Sequence, residues 1–587
     1  MAASRTERPG KAIDWKLRRW ALALRIGAIL IFVAATNDGF VQRALLVVDQ
    51  GRLTTLVGFL ALWGLSLACL LIAALQPNPW LRAAWALVIA AGTASGSAFR
   101  QASGSDLTVM DVLSLWSARH EAGRAMAFYA GEVVLLMVVL AAGLIVFASP
   151  PVPTRSSWRR WLTRLAWAPA VPVVCTAMIV VYKDGGGSQA LPMQVAPLSV
   201  AGVSAIAILT APVPERAPVA WQPQNASVRR IVVLVDESIR GDYVDWTPSN
   251  PHTPELARRK DRLVDHGPAA SGGVCSHYSN ALLRFMAAPH GLGRRLLANP
   301  TIWSYARRAG FRTVFVDAQA AFNRNPGKLQ NFMTPDEAKE IDGFHAVPEG
   351  VSAHALDDRL LDVVLEELRS PGPVFIYANK NGAHFPYDKG YPADETVFRP
   401  SMDADPADPA SRVNSYRNVV RWSVDRFFKR LLDEVDLTDT AIIYTSDHGQ
   451  HFDPRRLSHC SVEQPDPREA LVPLLTLTGD EDLRARLAAG AEANRGRATH
   501  FLIAPTVLEL LGYSGDDVRR AYGSGSLLAK SGDAPMFTSG DIFNLFSGTV
   551  RRHPIDLGRT YREDGWASVS LRPTIAPAMK ELASAGE

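Results

Sequence analysis

The sequence predicts two fold classes joined in one chain: an N-terminal five-helix α transmembrane bundle and a C-terminal α/β domain with a mainly parallel sheet. Three observations predict this. The chain of 587 residues is 48% hydrophobic but only 20% charged, whereas soluble domains carry about 25% charge. Its mean hydropathy is +0.02, and the apolar excess is concentrated in the first third. From residue 229 onward, short β-branched runs alternate with helical patterns, which is how a parallel sheet covered by helices reads. The 62 Lys and Arg against 58 Asp and Glu leave no basic excess for nucleic acid. Four cysteines are too few for a disulfide-built miniprotein.

A hydrocarbon core about 30 Å thick requires roughly 20 apolar helical residues. Five stretches meet this, at about 20–37, 53–75, 79–98, 126–148 and 164–182, and they set a transmembrane domain at 1–183. The first follows a basic start, as a signal peptide does, but the four spans after it favour an uncleaved anchor. Arg5, Arg8, Lys11, Lys16, Arg18 and Arg19 precede it, and Arg155, Arg159, Arg160 and Arg164 lie between spans four and five. With five alternating spans these two segments share a side, which the positive-inside rule makes cytoplasmic. The N-terminus is then inside and everything after 183 lies in the periplasm of a bacterial inner membrane. Residues 106–124 have the mixed spacing of a helix lying on the membrane surface. Residues 184–228 form a bridging linker, with an interfacial helix at 197–211; a sixth span there would move the C-terminal domain to the cytoplasm.

The domain at 229–587 opens on IVVLVDES (231–238), a buried parallel strand by length and β-branched content. Similar runs follow at 313–318, 373–380, 441–449 and 471–479, with helical patterns at 355–369, 414–434 and 499–512. Ligands of such sheets gather beyond the carboxyl ends of the strands. The residues at those ends are Asp236-Glu237, Asp317, the turn 381–384 and Asp447-His448. Carboxylates and imidazoles converging on one sheet edge suit a divalent metal, and zinc accepts both while keeping a position open for catalysis. Any one such Asp or Glu, taken singly, reads equally as a helix cap or a surface turn.

At this point the chain resembles the alkaline phosphatase/sulfatase superfamily and, within it, the lipid A phosphoethanolamine transferases. VVLVDESIRGDY (232–243) resembles the family's strand and Gly-Glu-Thr-x-Arg motif, with Glu237 and Arg240 retained. NGAHFPYDKGYP (381–392) resembles Gly-Ser-His-Gly-Pro-x-Tyr-x-x-x-Tyr-Pro. YTSDHGQ (444–450) matches the metal motif, and Leu457-Ser458-His459 is similar to a later Leu-His-Gly. SGGVCSHYSNALLRF (271–285) resembles Cys-Gly-Thr-x-Thr-Ala-Tyr-Ser, in which the second Thr attacks. Aligning Tyr278-Ser279 places Ser276 at the nucleophile, with Cys275 as its competitor. Neither is followed by the Pro and Arg of the formylglycine motif, which disfavours sulfate-ester chemistry.

The resemblance implies zinc held by Glu237, Asp447, His448 and the Ser276 oxygen, with one ion expected. Leu471 stands where the family has a His, which leaves a second ion open, and Asp236 adds a carboxylate where the family has Gly. It implies a ping-pong transfer of a phospholipid head group, phosphoethanolamine first, to an envelope lipid or glycan through phospho-Ser276. His384 and His459 would bind phosphate or protonate the leaving group, and Arg240 and Lys328 would contact phosphate. Ser117 and Glu121 resemble positions that hold the donor head group, although Leu113 replaces the Asn expected four residues before Ser117. A monomer is expected. The competing reading is a membrane-anchored phosphodiesterase, phosphoglycerol transferase or sulfatase-like hydrolase. Cys275 and Cys460, the only cysteines outside the spans, are expected to pair in an oxidising periplasm.

Overall fold

The computed structural model describes residues 9–561 apart from 118–125, 127–128, 151–155, 184, 211–214, 320–332, 348–349, 406–407, 454–455, 463, 524, 544–549 and 560. Two helices, Leu53–Ala74 and Ala130–Ala148, are by length and composition able to cross a membrane alone. A third forms if Arg19–Ala35 and Gly39–Asp49 count together; they bend by 65° at their junction, where Asn37 turns its amide to Gln194 and its own carbonyl oxygen receives Met193 N. The stretch expected at 79–98 is a 25-residue helix, Pro79–Ser103, diluted by Gly, Ser and Thr. Its small residues bring it against Ala130–Ala148, so closely that a Cβ on Gly143 would meet Ala90 at 2.8 Å. The stretch expected at 164–182 is divided: Ser156–Arg164 ends, a turn follows, and Ala170–Tyr182 is 13 residues long. Pro169, which caps that second helix, cannot donate to a continuing one. Of the segment expected at 197–211, residues 197–210 belong to a 15-residue apolar helix, Ala196–Thr210, and 211 lies outside the described residues.

The C-terminal domain is built on a seven-stranded sheet. In chain order the strands are β1 (Arg230–Asp236), β2 (Val264–Ala270), β3 (Arg312–Asp317), β4 (Gly343–Ala346), β5 (Val374–Asn379), β6 (Thr440–Ser446) and β7 (Leu471–Thr478). Their spatial order is β2-β7-β6-β1-β5-β3-β4. β1 is central, and Val233 stands opposite Tyr377 on one side and Ile443 on the other, both parallel. Only β7 runs against its neighbours β6 and β2, so the sheet is mixed but mainly parallel. Both faces are covered, which explains the unbroken apolar run of β1: Val232 and Leu234 enter one core, Ile231, Val233 and Val235 the other.

All five strand runs read from sequence are present. β2 and β4 are additional, as is a two-stranded hairpin of β8 (Met536–Gly540) and β9 (Val550–Pro554). β2 reads VDHGPAA, and its Gly and Pro accompany a register shift between Asp265 and Pro268 on the sheet edge. The helical pattern at 414–434 is one continuous helix from Pro409 whose middle, Val420–Arg426, is a π-helix.

Candidate active site

β1, β3, β5 and β6 run in one direction, so their carboxyl ends bring Asp236-Glu237, Asp317, Asn379 and Ser446-Asp447-His448 to one edge. Glu237, Asp447 and His448 are all buried and offer ligand atoms within 4.8 Å of one another. Two backbone features hold them. Ser238 has φ +59°, which costs of order 1–3 kcal/mol for a residue other than Gly. That conformation is held by Tyr416, whose hydroxyl donates to Ser238 O at 2.9 Å and receives Arg240 N at 2.8 Å. It lets Ser238 N reach Asp447 Oδ1 at 3.1 Å while its hydroxyl donates to Glu237 Oε1 at 2.7 Å. Gly449 follows His448 because a Cβ there would lie 2.6 Å from Leu471 O.

Ser276 opens the helix Ser276–Arg284. Its hydroxyl donates to Glu237 Oε2 at 3.1 Å and lies 3.0 Å from His448 Nε2. His448 Nδ1 is 2.7 Å from Gly449 O. A carbonyl only accepts, so Nδ1 carries a hydrogen and Nε2 is the nitrogen turned into the site. Helix N-termini favour negative charge, so the Ser276 oxygen sits where an alkoxide is stabilised. Cys275, the helix N-cap, is disulfide-bonded to Cys460, as expected. Its sulfur is therefore not a thiolate.

The electrostatics of the cluster fit a bound cation. Burial and the neighbouring Glu237 push Asp447 up to about 8. Burial would raise Glu237 as well, but the hydrogen bond from His448 keeps it well below the usual carboxylate range. Burial works against a charged His448, yet the two carboxylates outweigh it and raise that imidazole to about 9. Asp447 Oδ2 is buried without a hydrogen-bond partner. It is left with a long ion pair to His448 Nε2 at 3.6 Å, and a buried carboxylate oxygen without a hydrogen bond is costly. A divalent ion at this position would satisfy it and replace the proton that His448 otherwise holds. Glu237, Asp447 and His448 thus match the donor set of a catalytic zinc, with Ser276 Oγ beside the fourth position.

His459 stacks on His448, ring centroids 4.4 Å apart. His384 is half-buried in the β5 turn, with Nδ1 2.9 Å from Phe385 O. Arg240 is fully buried; its guanidinium pairs with Asp242 at 2.7 Å and lies over Tyr243. Lys328, Glu121 and the side chain of Ser117 lie outside the described residues, whereas Leu113 shares an apolar cluster with Tyr278 of the Ser276–Arg284 helix. Leu471 opens β7 and is buried.

Several residues of the site had no signal in sequence. Gln319, just past β3, donates to Glu237 Oε2 at 2.9 Å and to Lys380 O at 3.0 Å. Glu469 is buried, pushed up to about 7 by burial, and receives Ser461 N and Asp466 N; it anchors the loop that carries His459. Lys380 and Asp236, both fully buried, form an ion pair. Asp236 also receives Tyr444 OH at 2.9 Å and Glu237 N at 3.0 Å. Lys380 Nζ donates to Ser423 O at 2.6 Å, inside the π-helix, and lies 3.6 Å from Asp357. Asp357 in turn receives Asn381 N and Gly382 N. The extra carboxylate at 236 therefore joins the Glu237 strand to the His384 turn through one buried cation. Gly382 follows from the same packing: its φ is +50° and a Cβ would meet Glu237 N at 2.7 Å.

Residues 229–513 match the Sulfatase family. The chain is 25% identical over 313 residues to the Kdo(2)-lipid A phosphoethanolamine 7''-transferase of Escherichia coli K12, covering 50% of this chain and 54% of that protein. For the enzyme of the same name in Salmonella typhimurium the figures are 24% over 311 residues, 50% and 53%. The chain thus spans about half the length of the curated relatives it matches. Among solved structures it resembles the integral membrane protein lipooligosaccharide phosphoethanolamine transferase A from Neisseria meningitidis, with a TM-score of 0.56 at 19% identity, over 74% of this chain and 84% of that one. That likeness extends beyond the catalytic domain into the helical region. Residues 229–513, just under half of the chain, thus match the Sulfatase family, and the fold built on them is sulfatase-like.

Proposed function

We propose that the chain is a multi-pass membrane phosphotransferase that moves a phospholipid head group, phosphoethanolamine first, to an envelope lipid or glycan through a phosphoserine intermediate. One observation carries the reading: the Ser276 hydroxyl, at a helix N-terminus, reaches both Glu237 Oε2 and His448 Nε2 beside Asp447 Oδ2, which has no hydrogen bond. The names of the two curated relatives support the head group and the class of acceptor.

Zinc held by Glu237, Asp447 and His448 would act as a Lewis acid and lower the pKa of the serine hydroxyl. The residues do the rest. The Ser276 proton passes to solvent, because Glu237, itself a ligand held well below the usual carboxylate range, is a poor base. Ser276 Oγ bonds to phosphorus, the bond from phosphorus to the diacylglycerol oxygen breaks, and His384 or His459 protonates that oxygen. An acceptor hydroxyl then gives its proton back to that histidine while its oxygen displaces Ser276 Oγ, which recovers a proton from solvent. Buried Gln319 and Ser238 hold Glu237 in place during both steps. Lys328, Ser117 and Glu121 are read as contacts to the donor phosphate and head group, whereas Arg240, expected to join them, is fully buried and paired with Asp242 and serves as a brace.

Comparing envelope lipids and glycans by mass spectrometry with and without the protein tests the function directly. An added mass equal to a phospholipid head group is expected on one envelope component. Release of free head-group phosphate, with no modified acceptor, would make the enzyme a hydrolase instead. Elemental analysis of active protein is expected to give about one zinc per chain. Active protein without a transition metal would overturn the ligand set.

We read the chain as five spans with the N-terminus inside, domains at 1–183, 184–228 and 229–587, and a monomeric working unit. Packing supports this topology. Val109, Met110 and Leu113, in the connection between the third and fourth expected spans, share one apolar cluster with Val200, Val203, Tyr278 and Phe285. That packing is what two intervening spans would give in either orientation, and the inside N-terminus rests on the Arg and Lys of the segments flanking spans one and five. An alkaline phosphatase reporter fused after residue 228 should be active; a silent reporter would mean that the apolar helix Ala196–Thr210 crosses the membrane.

A further inference from the structure

We propose that the Cys275–Cys460 disulfide, once reduced, becomes with His277 a second metal site, a Cys2His set for zinc or a similar thiophilic d10 cation. The ligand atoms of Cys275, His277 and Cys460 all lie within 4.8 Å of one another, separate from the Glu237, Asp447 and His448 group. Cys275 and His277 are buried and Cys460 is half-buried, so an ion here is shielded but has a route in. The two cysteines sit 185 residues apart in sequence with Cα atoms 4.7 Å apart, and the backbone bond from Cys460 N to Val274 O at 2.8 Å ties the two segments independently of the sulfurs. Reduction therefore leaves the thiols together. The His277 ring is also fixed in place, with Nε2 3.3 Å from Ser114 Oγ. The Ser114 hydroxyl already donates to Met110 O, so its oxygen accepts from Nε2–H.

The chemistry balances. A dithiol reductant gives two electrons and two protons to the disulfide and is itself oxidised to a disulfide. The cation then displaces both thiol protons and takes one imidazole nitrogen, leaving its fourth position open. The consequence follows from the sequence order Cys275-Ser276-His277 and His459-Cys460. A metal here holds both neighbours of Ser276 and the neighbour of His459, which makes the site responsive to thiol-reducing conditions and to metal excess. The proposal needs only thiols and an ion, and does not depend on which head group is transferred.

Full-length protein in detergent, oxidised or reduced with a dithiol and freed of it, is titrated with Cd²⁺. The reduced protein is expected to gain a thiolate-to-cadmium ultraviolet band that saturates at one equivalent above the oxidised control and is displaced by Zn²⁺. The oxidised control retains the free thiols Cys69 and Cys175, and the oxygen and imidazole donors of the catalytic cluster give no such band. His277→Ala should weaken the reduced-state binding by at least roughly 10-fold. Equal spectra for oxidised and reduced protein would overturn the site, and unchanged affinity in His277→Ala would overturn the role of the imidazole. Because the decisive comparison uses one unmutated protein in two redox states, it stands even where a cysteine variant fails to fold.

Discussion

Ser276→Ala is expected to abolish transfer while leaving the protein folded and in the membrane. The substitution removes the hydroxyl that, among the described residues, meets both Glu237 Oε2 and His448 Nε2, and alanine fits a helix start without strain. Loss of an essential nucleophile costs on the order of 10⁶ in rate, whereas loss of a supporting acid or base costs roughly 10²–10⁴. His384→Ala and His459→Ala should therefore retain activity that is measurable above the Ser276→Ala background. Cys275→Ser should be far milder, because Cys275 sulfur is committed to Cys460 and its loss removes a brace and not the attacking atom. The assay is labelled head-group transfer from a phospholipid vesicle, with metal content measured on the same samples. Wild-type activity in Ser276→Ala alongside a dead Cys275→Ala would reverse the assignment and make sulfur the attacking atom.

The parts of this protein that were legible in sequence are those whose signal is periodic or contiguous. β1, β3, β5, β6 and β7 are apolar runs, so they announce themselves, and a parallel sheet then fixes where Glu237, Asp447 and His448 meet. The direction of β7 was not legible, because a doubly covered strand reads the same whichever way it runs. β2 and the β8–β9 hairpin were missed for the opposite reason: Gly, Pro and polar residues interrupt them, although Val264 and Ala269 of β2 enter a main core. The expected spans show the limit of counting apolar residues. Hydropathy carries over the Thr36–Asp38 break and over Pro169, but backbone hydrogen bonding does not. The support of the site was least legible of all. Gln319, Tyr416, Glu469 and Lys380 are single polar residues in unremarkable local sequence, and only their burial together gives them meaning. Asp236 illustrates this: in sequence it is an extra acid beside a ligand, and in the fold it is half of a buried ion pair.

That pair yields the second large effect, on stability. Lys380→Met is expected to destabilise the catalytic domain by about 3–5 kcal/mol, because removing one member of a buried pair leaves the other uncompensated. The loss should exceed that expected from Lys380 contacts alone, since Asp236 also receives Glu237 N and Asp357 caps the turn at Asn381 and Gly382. Two acids would then repel across a space that Lys380 now fills. Asp236→Asn with Lys380→Met removes both charges and should recover most of the stability. The pH dependence has a defined sign. Burial raises Asp236 to about 6 even against the pull of Lys380. A carboxyl raised above its unfolded value favours the folded state in its protonated form, so its contribution is fully present at low pH and is lost as pH rises through the folded value. Without Lys380 that folded value moves further up. The Lys380→Met penalty should therefore be smaller at pH 5, where Asp236 takes up a proton, than at pH 8, where ionising it costs most. Urea unfolding at the two pH values, followed by tryptophan fluorescence, measures both points. An unchanged midpoint in Lys380→Met, or a penalty larger at pH 5 than at pH 8, would show that the buried cation does not hold Asp236 and that the link between the Glu237 strand and the His384 turn lies elsewhere.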